Sequence, residues 1–285
     1  MTEVPVRRWV AVAVVSGVGV AVVYLLAVWT STGQLLENAA LRGADEAGAA
    51  DRDAADEALG QITVYSLAAA VVAVGLVGVL RRRFALAVAA VGLIVVGQVI
   101  TQVLKRFVLP RPPLVPVTGH YAHNSLPSGH TTIAMTVLFA ALLVVPYRWR
   151  GVALFFVLSW AVGIGAYTVT AKWHRLSDTV AADAVSLAVA CLASLWLVRR
   201  GLVRRHDGPR RIPRVLIVVF TALGGAIFLA LGAILIGVPL ASQGLAATVS
   251  GDAWVVYLAA NSLASFFSIA TALVFLATWR RLEIA

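Results

Sequence analysis

The sequence is poor in charged residues and in cysteine. Only 13% of its 285 residues are Asp, Glu, Lys or Arg, whereas 61% are hydrophobic. A soluble domain carries about 25% charged residues, so this composition excludes an ordinary soluble protein. The single cysteine, Cys191, excludes a disulfide within the chain, and its position inside an apolar run predicts a small, buried side chain.

Carboxylates are also scarce, because Lys and Arg outnumber Asp and Glu by 23 to 13, which gives a formal net charge of +10. A basic excess of this size can indicate a nucleic-acid partner. Here the basic residues lie in short connections between long apolar runs, which is typical of membrane proteins. We therefore expect the bilayer as a partner and no nucleic acid.

Eight apolar runs are long enough to cross a membrane as helices. They lie near residues 9–29, 62–80, 85–104, 129–146, 152–172, 179–198, 215–237 and 255–277. The sequence therefore predicts an all-α, polytopic transmembrane helix bundle. In this prediction residues 199–214 form a basic cytoplasmic loop, and residues 215–285 add two helices and a short cytoplasmic tail.

The connections between the runs alternate in charge. One set carries 16 basic and three acidic residues, and the other carries seven basic and nine acidic residues. The positive-inside rule places the first set, with both termini, in the cytoplasm. We therefore predict a multi-pass protein of the cell membrane whose second set of connections, including residues 31–60 and 105–127, is extracytoplasmic.

The segment Pro127-Ser128-Gly129-His130 opens the fourth apolar run on the predicted outer face. The first N–H groups of a helix have no intrahelical partner and carry a positive dipole end, so a helix start is suited to binding an anion. His130 adds a group that exchanges a proton near neutral pH. Taken alone, Ser128 is equally well explained as an N-cap and Gly129 as a turn residue.

Two further polar clusters fall on the same predicted face. Lys105 and Arg111 precede the fourth run, and His174 is followed four residues later by Asp178, on the same side of a helix. Basic residues, an anion site with a histidine and a His–Asp pair are the components of a phosphoryl-transfer site that needs no metal. Taken alone, the pair at 174 and 178 is better explained as a helix cap.

Together the clusters resemble the motifs of the type-two phosphatidic acid phosphatase superfamily of membrane lipid phosphatases. The family pattern is a lysine, six residues and Arg-Pro; then Pro-Ser-Gly-His; then Ser-Arg, five residues, His, three residues and Asp. Residues 127–130 match the second motif in full, and Arg111-Pro112 end the first. His174 and Asp178 end the third. The resemblance covers about residues 62–198 and implies a six-helix phosphatase core over residues 1–198.

The chain departs from the family pattern at two places. Five residues, not six, separate Lys105 from Arg111, which on an α-helix moves the lysine by about 1.5 Å and 100°. Tyr167-Thr168 stand where the family has Ser-Arg, so the guanidinium that would clamp a phosphate is missing. Lys172 lies four residues beyond Thr168, and on a continuous helix it would supply the missing charge.

Arg175 and Arg106 are alternative sources of that charge, although each equally suits contact with lipid headgroups. The segment 31–60 is rich in carboxylates and alanine, and it is either helical or a solvated hairpin. We assign it no catalytic role, because its carboxylates would repel a phosphate ester.

The resemblance implies a role for each matched residue. His174 is the expected nucleophile, Asp178 orients its imidazole, and His130 protonates the leaving alkoxide and then activates water. The expected phosphate-binding residues are Lys105, Arg111, Ser128 and Gly129, together with Thr168 and Lys172 at the altered position. No cofactor and no metal are expected.

The implied function is hydrolysis of lipid phosphate monoesters or diphosphates through a phosphohistidine at the extracytoplasmic face. Phosphatidate, phosphatidylglycerol phosphate and a polyprenyl diphosphate are all candidate substrates. One alternative is a phosphotransferase that passes the phosphoryl group to an alcohol, and another is a catalytically impaired lipid-binding member. Vanadate-dependent haloperoxidases share this type of site, but eight spans weaken that resemblance. The sequence does not address the oligomeric state.

Overall fold

A computed structural model describes residues 6–117, 122–208 and 212–284. These residues form a bundle of α-helices with one small antiparallel ribbon. The helices are α1 (Val6–Val28), α2 (Ser31–Gly43), α3 (Ala49–Gly60), α4 (Val64–Leu80), α5 (Phe84–Val103), α6 (Gly129–Val144), α7 (Arg150–Thr170), α8 (Leu176–Arg199), α9 (Ile212–Gly251) and α10 (Ala253–Thr278); the strands are β1 (Val203–Arg205) and β2 (Leu282–Ile284).

All eight predicted apolar runs are helical, which confirms the all-α, polytopic prediction. Six helices in the described part of the chain are long and apolar enough to cross a membrane, or seven if α3 and α4, which meet at 60°, form one broken span. The predicted count of eight spans is therefore too high by this criterion. The reason is length, because α4 has 17 residues and α6 has 16.

Local sequence features set several helix ends. Thr63 caps α4 through a reciprocal capping box with Ser66, and the Ser128 hydroxyl caps α6. Gly244 has a φ of 79°, which is not helical, so it interrupts α9. Glycine suits this position because other residues rarely adopt a positive φ. At the end of α5 the chain continues as a π-helical stretch, Leu104–Val108.

The centre of the bundle is α6, which is buried on most of its surface and packs against α5, α7 and α8. Its apolar side chains, such as Met135 and Phe139, are inaccessible to solvent. The C-terminal helices belong to the same bundle, because α10 packs against α7 and α8 as well as α9. The Ser268 hydroxyl of α10 lies 3.0 and 3.2 Å from the two carboxylate oxygens of the buried Asp183 of α8.

The arginine-rich connections gather at one end of the bundle. There the Trp9 indole donates to the Thr278 hydroxyl at 3.0 Å, so the first and last helices meet. The guanidinium of Arg150 donates to the carbonyl oxygen of Leu282 at 2.8 Å, and β1 pairs with β2 beside them. This ribbon was not predicted. The other end of the bundle carries the predicted site residues.

The segment 31–60 is helical, so of its two alternatives the solvated hairpin is wrong. Gly43 lies so close to the backbone of Ala253 that a Cβ atom there would overlap it, and glycine therefore permits α2 to pack on α10. Gln34 donates hydrogen bonds to the carbonyl oxygens of Val28 and Pro112, at 2.8 and 2.7 Å. These contacts fix α2 over the end of the bundle that carries the site residues.

Candidate functional site

The second and third sequence motifs meet where α6 and α8 begin. The backbone N–H of Ser128 donates to the backbone carbonyl oxygen of Asp178 at 2.9 Å. The backbone N–H of His174, which follows α7, donates to the carbonyl oxygen of Thr168 at 3.0 Å. Backbone hydrogen bonds therefore fix both histidine-bearing segments relative to one another.

The carboxylate of Asp178 holds the imidazole of His174. The two side chains lie 3.1 Å apart, between Nδ1 and Oδ2. The same Oδ2 accepts a hydrogen bond from the backbone N–H of Arg175 at 2.9 Å and one from the Ser125 hydroxyl at 2.5 Å. A carboxylate only accepts, so Nδ1 carries the proton and Nε2 keeps its lone pair.

The imidazole of His130 lies beside that of His174. The ring centroids are 6.3 Å apart, and the ring of Trp173 lies edge-on to His130 at 5.1 Å. The Gln98 amide donates to the carbonyl oxygen of Gly129 at 3.2 Å, which ties the start of α6 to α5. Two histidines from separate motifs thus occupy one small region.

Ser128 has a structural role in addition to its place in the motif. Its fully buried hydroxyl accepts hydrogen bonds from the backbone N–H and the hydroxyl of Thr131, at 3.3 and 3.1 Å. Its own N–H is bonded to Asp178. Any anion at this helix start therefore meets the N–H groups of Gly129 and His130 and not that of Ser128.

Lys105 lies in the π-helical stretch at the end of α5. It is close enough to His130 and Asp178 to act on both electrostatically. The predicted displacement of 100° assumed α-helical geometry, and that assumption is wrong because the N–H of Leu109 bonds to the carbonyl oxygen of Leu104 in a π-turn. The shorter spacing to Arg111 coincides with this irregular turn.

The structure does not support the reasoning that led to Lys172. Helix α7 ends at Thr170, and Lys172 adopts a left-handed backbone conformation with a φ of 61°, so it does not share a helical face with Thr168. Its Nζ lies 2.6 Å from Oδ1 of Asp45, in the connection after α2.

Thr168 itself is inaccessible to solvent. Its hydroxyl donates to the carbonyl oxygen of Gly165 at 2.7 Å and lies 3.4 Å from the Thr179 hydroxyl, between α7 and α8. The position of the family arginine is thus occupied by a packing residue whose proton is already engaged.

A cluster of two arginines and one glutamate lies beside the His–Asp pair. The side chains of Arg111 and Arg175 are both 3% exposed, which is unusual for arginine and shows that neither guanidinium lies on the outer surface of the bundle. Between them lies Glu37 of α2, whose Oε2 is 3.7 Å from Nη1 of Arg111 and 3.9 Å from Nε of Arg175. The guanidinium of Arg175 also donates to the Ser125 hydroxyl at 3.2 Å.

Glu37 lies beside the predicted site residues, although the sequence did not single it out. Its Oε1 accepts a hydrogen bond from the backbone N–H of Ser177 at 3.2 Å. Burial, and then the nearby carboxylate of Asp178, raise the pKa of Glu37 to about 7, although Ser177, Arg175 and Arg111 oppose the rise. No sequence pattern distinguishes Glu37, because it is one of seven acidic residues in segment 31–60. The assignment of no catalytic role to that segment stays a prediction.

No group of three or more His, Cys, Asp and Glu side chains suited to hold a metal ion occurs within residues 6–117, 122–208 and 212–284. A cavity of about 560 Å³ lies at the opposite end of the bundle, between α9 and α10, beside Tyr147, Arg214 and Arg280. None of the predicted site residues lines that cavity.

The fold and the motif geometry define a polytopic helical membrane protein with a paired-histidine site. A family model described as PAP2 superfamily matches residues 82–202. Over these residues the match supports membership of the PAP2 superfamily, in agreement with the motifs. Membership supports phosphatase activity on phosphate esters and a lipid-type phosphate substrate. No curated protein and no solved structure matches the chain. Glu37 lies outside the matched segment.

Proposed function

We propose that the protein is an integral membrane phosphatase that hydrolyses lipid phosphates through a phosphohistidine on His174. The observation that carries this proposal is the proximity of two histidines from separate motifs, one of them held by a buried aspartate. A phosphoryl group between rings whose centroids are 6.3 Å apart is within reach of both.

In the proposed reaction, Nε2 of His174 attacks phosphorus while the bond to the lipid oxygen breaks. His130 gives its proton to the leaving alkoxide, and afterwards takes a proton from the water that attacks the phosphohistidine. Asp178 keeps the proton of His174 on Nδ1 and stabilises the charge that develops on the ring. Inorganic phosphate leaves, and both histidines return to their starting protonation states.

The phosphate oxygens are bound in this proposal by Lys105, Arg111, Arg175 and the N–H groups at the start of α6. Arg175 takes the part of the missing family arginine, since it is buried within 4 Å of the same glutamate as Arg111. A planar guanidinium offers paired donors that a lysine lacks. With Arg175 in this role, the missing family arginine is no longer a reason to expect a catalytically impaired lipid-binding protein.

A lipid substrate suits the surroundings of the site. Phe107, two residues after Lys105, is 81% exposed, and Trp173, directly before His174, is 43% exposed. Exposed aromatic side chains are typical of the membrane interface. Because the arginine-rich connections lie at the opposite end, we propose that the site faces the extracytoplasmic side and that both termini are cytoplasmic.

Phosphate release by purified protein in nanodiscs tests the proposal. The substrates are phosphatidate, phosphatidylglycerol phosphate and a polyprenyl diphosphate, with soluble glycerol phosphate for comparison. We expect turnover of at least one lipid, together with an acid-labile, base-stable phosphoenzyme that His174→Ala lacks. A new phosphate ester formed when an alcohol is added would identify a phosphotransferase, and no phosphoenzyme with any lipid would contradict the mechanism.

A further inference from the structure

Glu37 occupies a position where a carboxylate is not expected in a phosphate-binding site. It comes from α2, outside the segment that matches the superfamily, and it lies between the two buried guanidinium groups proposed to bind the substrate. A phosphate dianion bound by both arginines would lie within a few ångströms of this carboxylate, and like charges this close repel strongly at a buried site.

We propose that the Glu37 carboxylate and the substrate phosphate compete for Arg111 and Arg175, so that the phosphate binds together with a proton that neutralises Glu37. This inference rests on the proposed function and adds a pH-dependent control of substrate affinity to it. Glu37 is a positioning residue in this scheme, because it acts through the arginines.

The hydrogen bonds of Glu37 indicate which oxygen receives the proton. Oε1 accepts the backbone N–H of Ser177, whereas the buried Oε2 has no hydrogen-bond partner within the described segments. Nη2 of Arg111 is likewise buried without a partner there. Protonation at Oε2 removes the charge that opposes the phosphate. It also creates an O–H donor on the side of Glu37 that faces Arg111 and Arg175.

The charged groups that face Glu37 come from two segments. Arg111 lies in the connection after α5, and Arg175 and Asp178 lie at the start of α8. Helix α10, on which α2 packs, has no Asp, Glu, Lys or Arg, and the hydroxyl of its Tyr257 is bonded to Thr170. The neighbouring part of α1 is uncharged, and its Tyr24 hydroxyl donates to the carbonyl oxygen of Pro110.

Burial and the carboxylate of Asp178 raise the pKa of Glu37 to about 7 against the opposing effects of Ser177 and the two arginines, so a modest change of pH alters its charge. The proton comes from solvent when the phosphate binds and returns to solvent when inorganic phosphate leaves. Affinity is therefore expected to fall as pH rises above this value, because only the neutral form of Glu37 is competent to bind.

Tungstate, a tetrahedral dianion whose charge is constant between about pH 6 and 8, is the probe. Its dissociation constant is measured by titration calorimetry for wild type and Glu37→Gln in nanodiscs. The glutamine retains the shape and the acceptor for Ser177 but does not ionise. We expect the dissociation constant of wild type, divided by that of Glu37→Gln, to be roughly tenfold larger at about pH 8 than at about pH 6. Dividing the wild-type dissociation constant by that of Glu37→Gln cancels the pH effects that the two proteins share.

The matched control is Glu46→Gln, which removes an exposed carboxylate from the same region and is expected to behave as wild type. A second readout is calorimetry in two buffers of different ionisation enthalpy: at about pH 8, wild type should take up nearly one proton more per tungstate than Glu37→Gln does. A constant affinity ratio and equal proton uptake by the two proteins would overturn the role of Glu37 alone. If wild type binds tungstate at neither pH, the proposed phosphate site is wrong as well.

Discussion

The backbone N–H of Ser128 donates a hydrogen bond of 2.9 Å to the backbone carbonyl oxygen of Asp178. This bond joins the start of α6 to the start of α8, and it brings together motifs that are 50 residues apart in the sequence. Because it uses only backbone atoms, the relative position of His130 and His174 depends on the packing of the two helices and not on either side chain. Substitution of either histidine should therefore leave the fold intact.

The two histidines are expected to differ in their effects. His174→Ala should abolish phosphate release, because in the proposed mechanism Nε2 of His174 attacks phosphorus. His130→Ala should slow turnover of alkyl phosphates by roughly a hundredfold or more, since general acid catalysis contributes about that much. With a nitrophenyl phosphate, whose leaving group needs no proton, phosphorylation of His174 should persist in His130→Ala.

Rapid-quench measurement of phosphoenzyme separates the two steps. Full activity of purified His174→Ala would contradict the mechanism. Equal loss of phosphorylation in both variants, with either leaving group, would contradict the division of roles between them.

Arg175 and Lys172 provide a matched test of which cation replaces the family arginine. A charge-assisted hydrogen bond is worth about 1.5–3 kcal/mol, so Arg175→Gln should reduce kcat/KM by roughly tenfold to a hundredfold. Since this change leaves Glu37 without one partner, the double variant Arg175→Gln with Glu37→Gln controls for the unbalanced charge. Lys172→Ala should change kcat/KM by less than about threefold, because its ion pair with Asp45 is partly exposed. A larger loss of kcat/KM in Lys172→Ala than in Arg175→Gln would support the hypothesis that Lys172 supplies the missing charge.

The sequence predicted the helices and the histidine motifs because both depend on local information. Apolar runs of membrane length are contiguous, and Pro127 to His130 and His174 to Asp178 are short segments in which neighbouring residues carry the chemistry. The end of α7 was missed because no glycine or proline marks it. The chain nevertheless leaves the helix at Ala171, and that departure separates Lys172 from Thr168.

Glu37, Arg111 and Arg175 depended on tertiary structure and were not predicted as a cluster. Glu37 meets Ser177 across 140 residues of sequence, and no spacing rule relates them. Charge alone argued against a carboxylate in the site, since a carboxylate repels phosphate unless cations or a proton neutralise it. The ribbon of β1 and β2 was missed for a similar reason, because strands of three residues carry no periodic signal.

Metal dependence is expected to be absent. Asp178, the carboxylate bonded to His174, already accepts hydrogen bonds from Ser125 and Arg175, and Glu37 lies between two arginines. Magnesium requires several oxygen ligands, and no group of three or more candidate ligands occurs among the described residues. Activity measured after dialysis against EDTA should equal that of untreated protein, and added magnesium should not increase it. Loss on chelation with recovery in magnesium would show that the reaction proceeds by a different route.

The predicted sidedness is tested with a pair of cysteines at opposite ends of the bundle. In a Cys191→Ala background, Leu114→Cys lies near the site, and Arg204→Cys lies on β1. An impermeant maleimide added to intact cells should label Leu114→Cys, and it should label Arg204→Cys only after permeabilisation. Both native residues are exposed, so accessibility does not bias the comparison. The reverse pattern would place the site in the cytoplasm.

Glu37 should also make the stability of the fold depend on pH. Its pKa is about 7 in the folded protein and near its ordinary value of 4.5 when unfolded, so between these values the folded state binds more protons. Stability therefore falls as pH rises through this window, by on the order of 3 kcal/mol for complete ionisation. Glu37→Gln does not ionise and so does not lose stability in this way. Between about pH 5 and 8, the midpoint of thermal unfolding in detergent should therefore fall more for wild type than for the variant. Glu46→Gln should follow wild type. Parallel curves for wild type and Glu37→Gln would mean that Glu37 remains ionised throughout, held by Arg111 and Arg175.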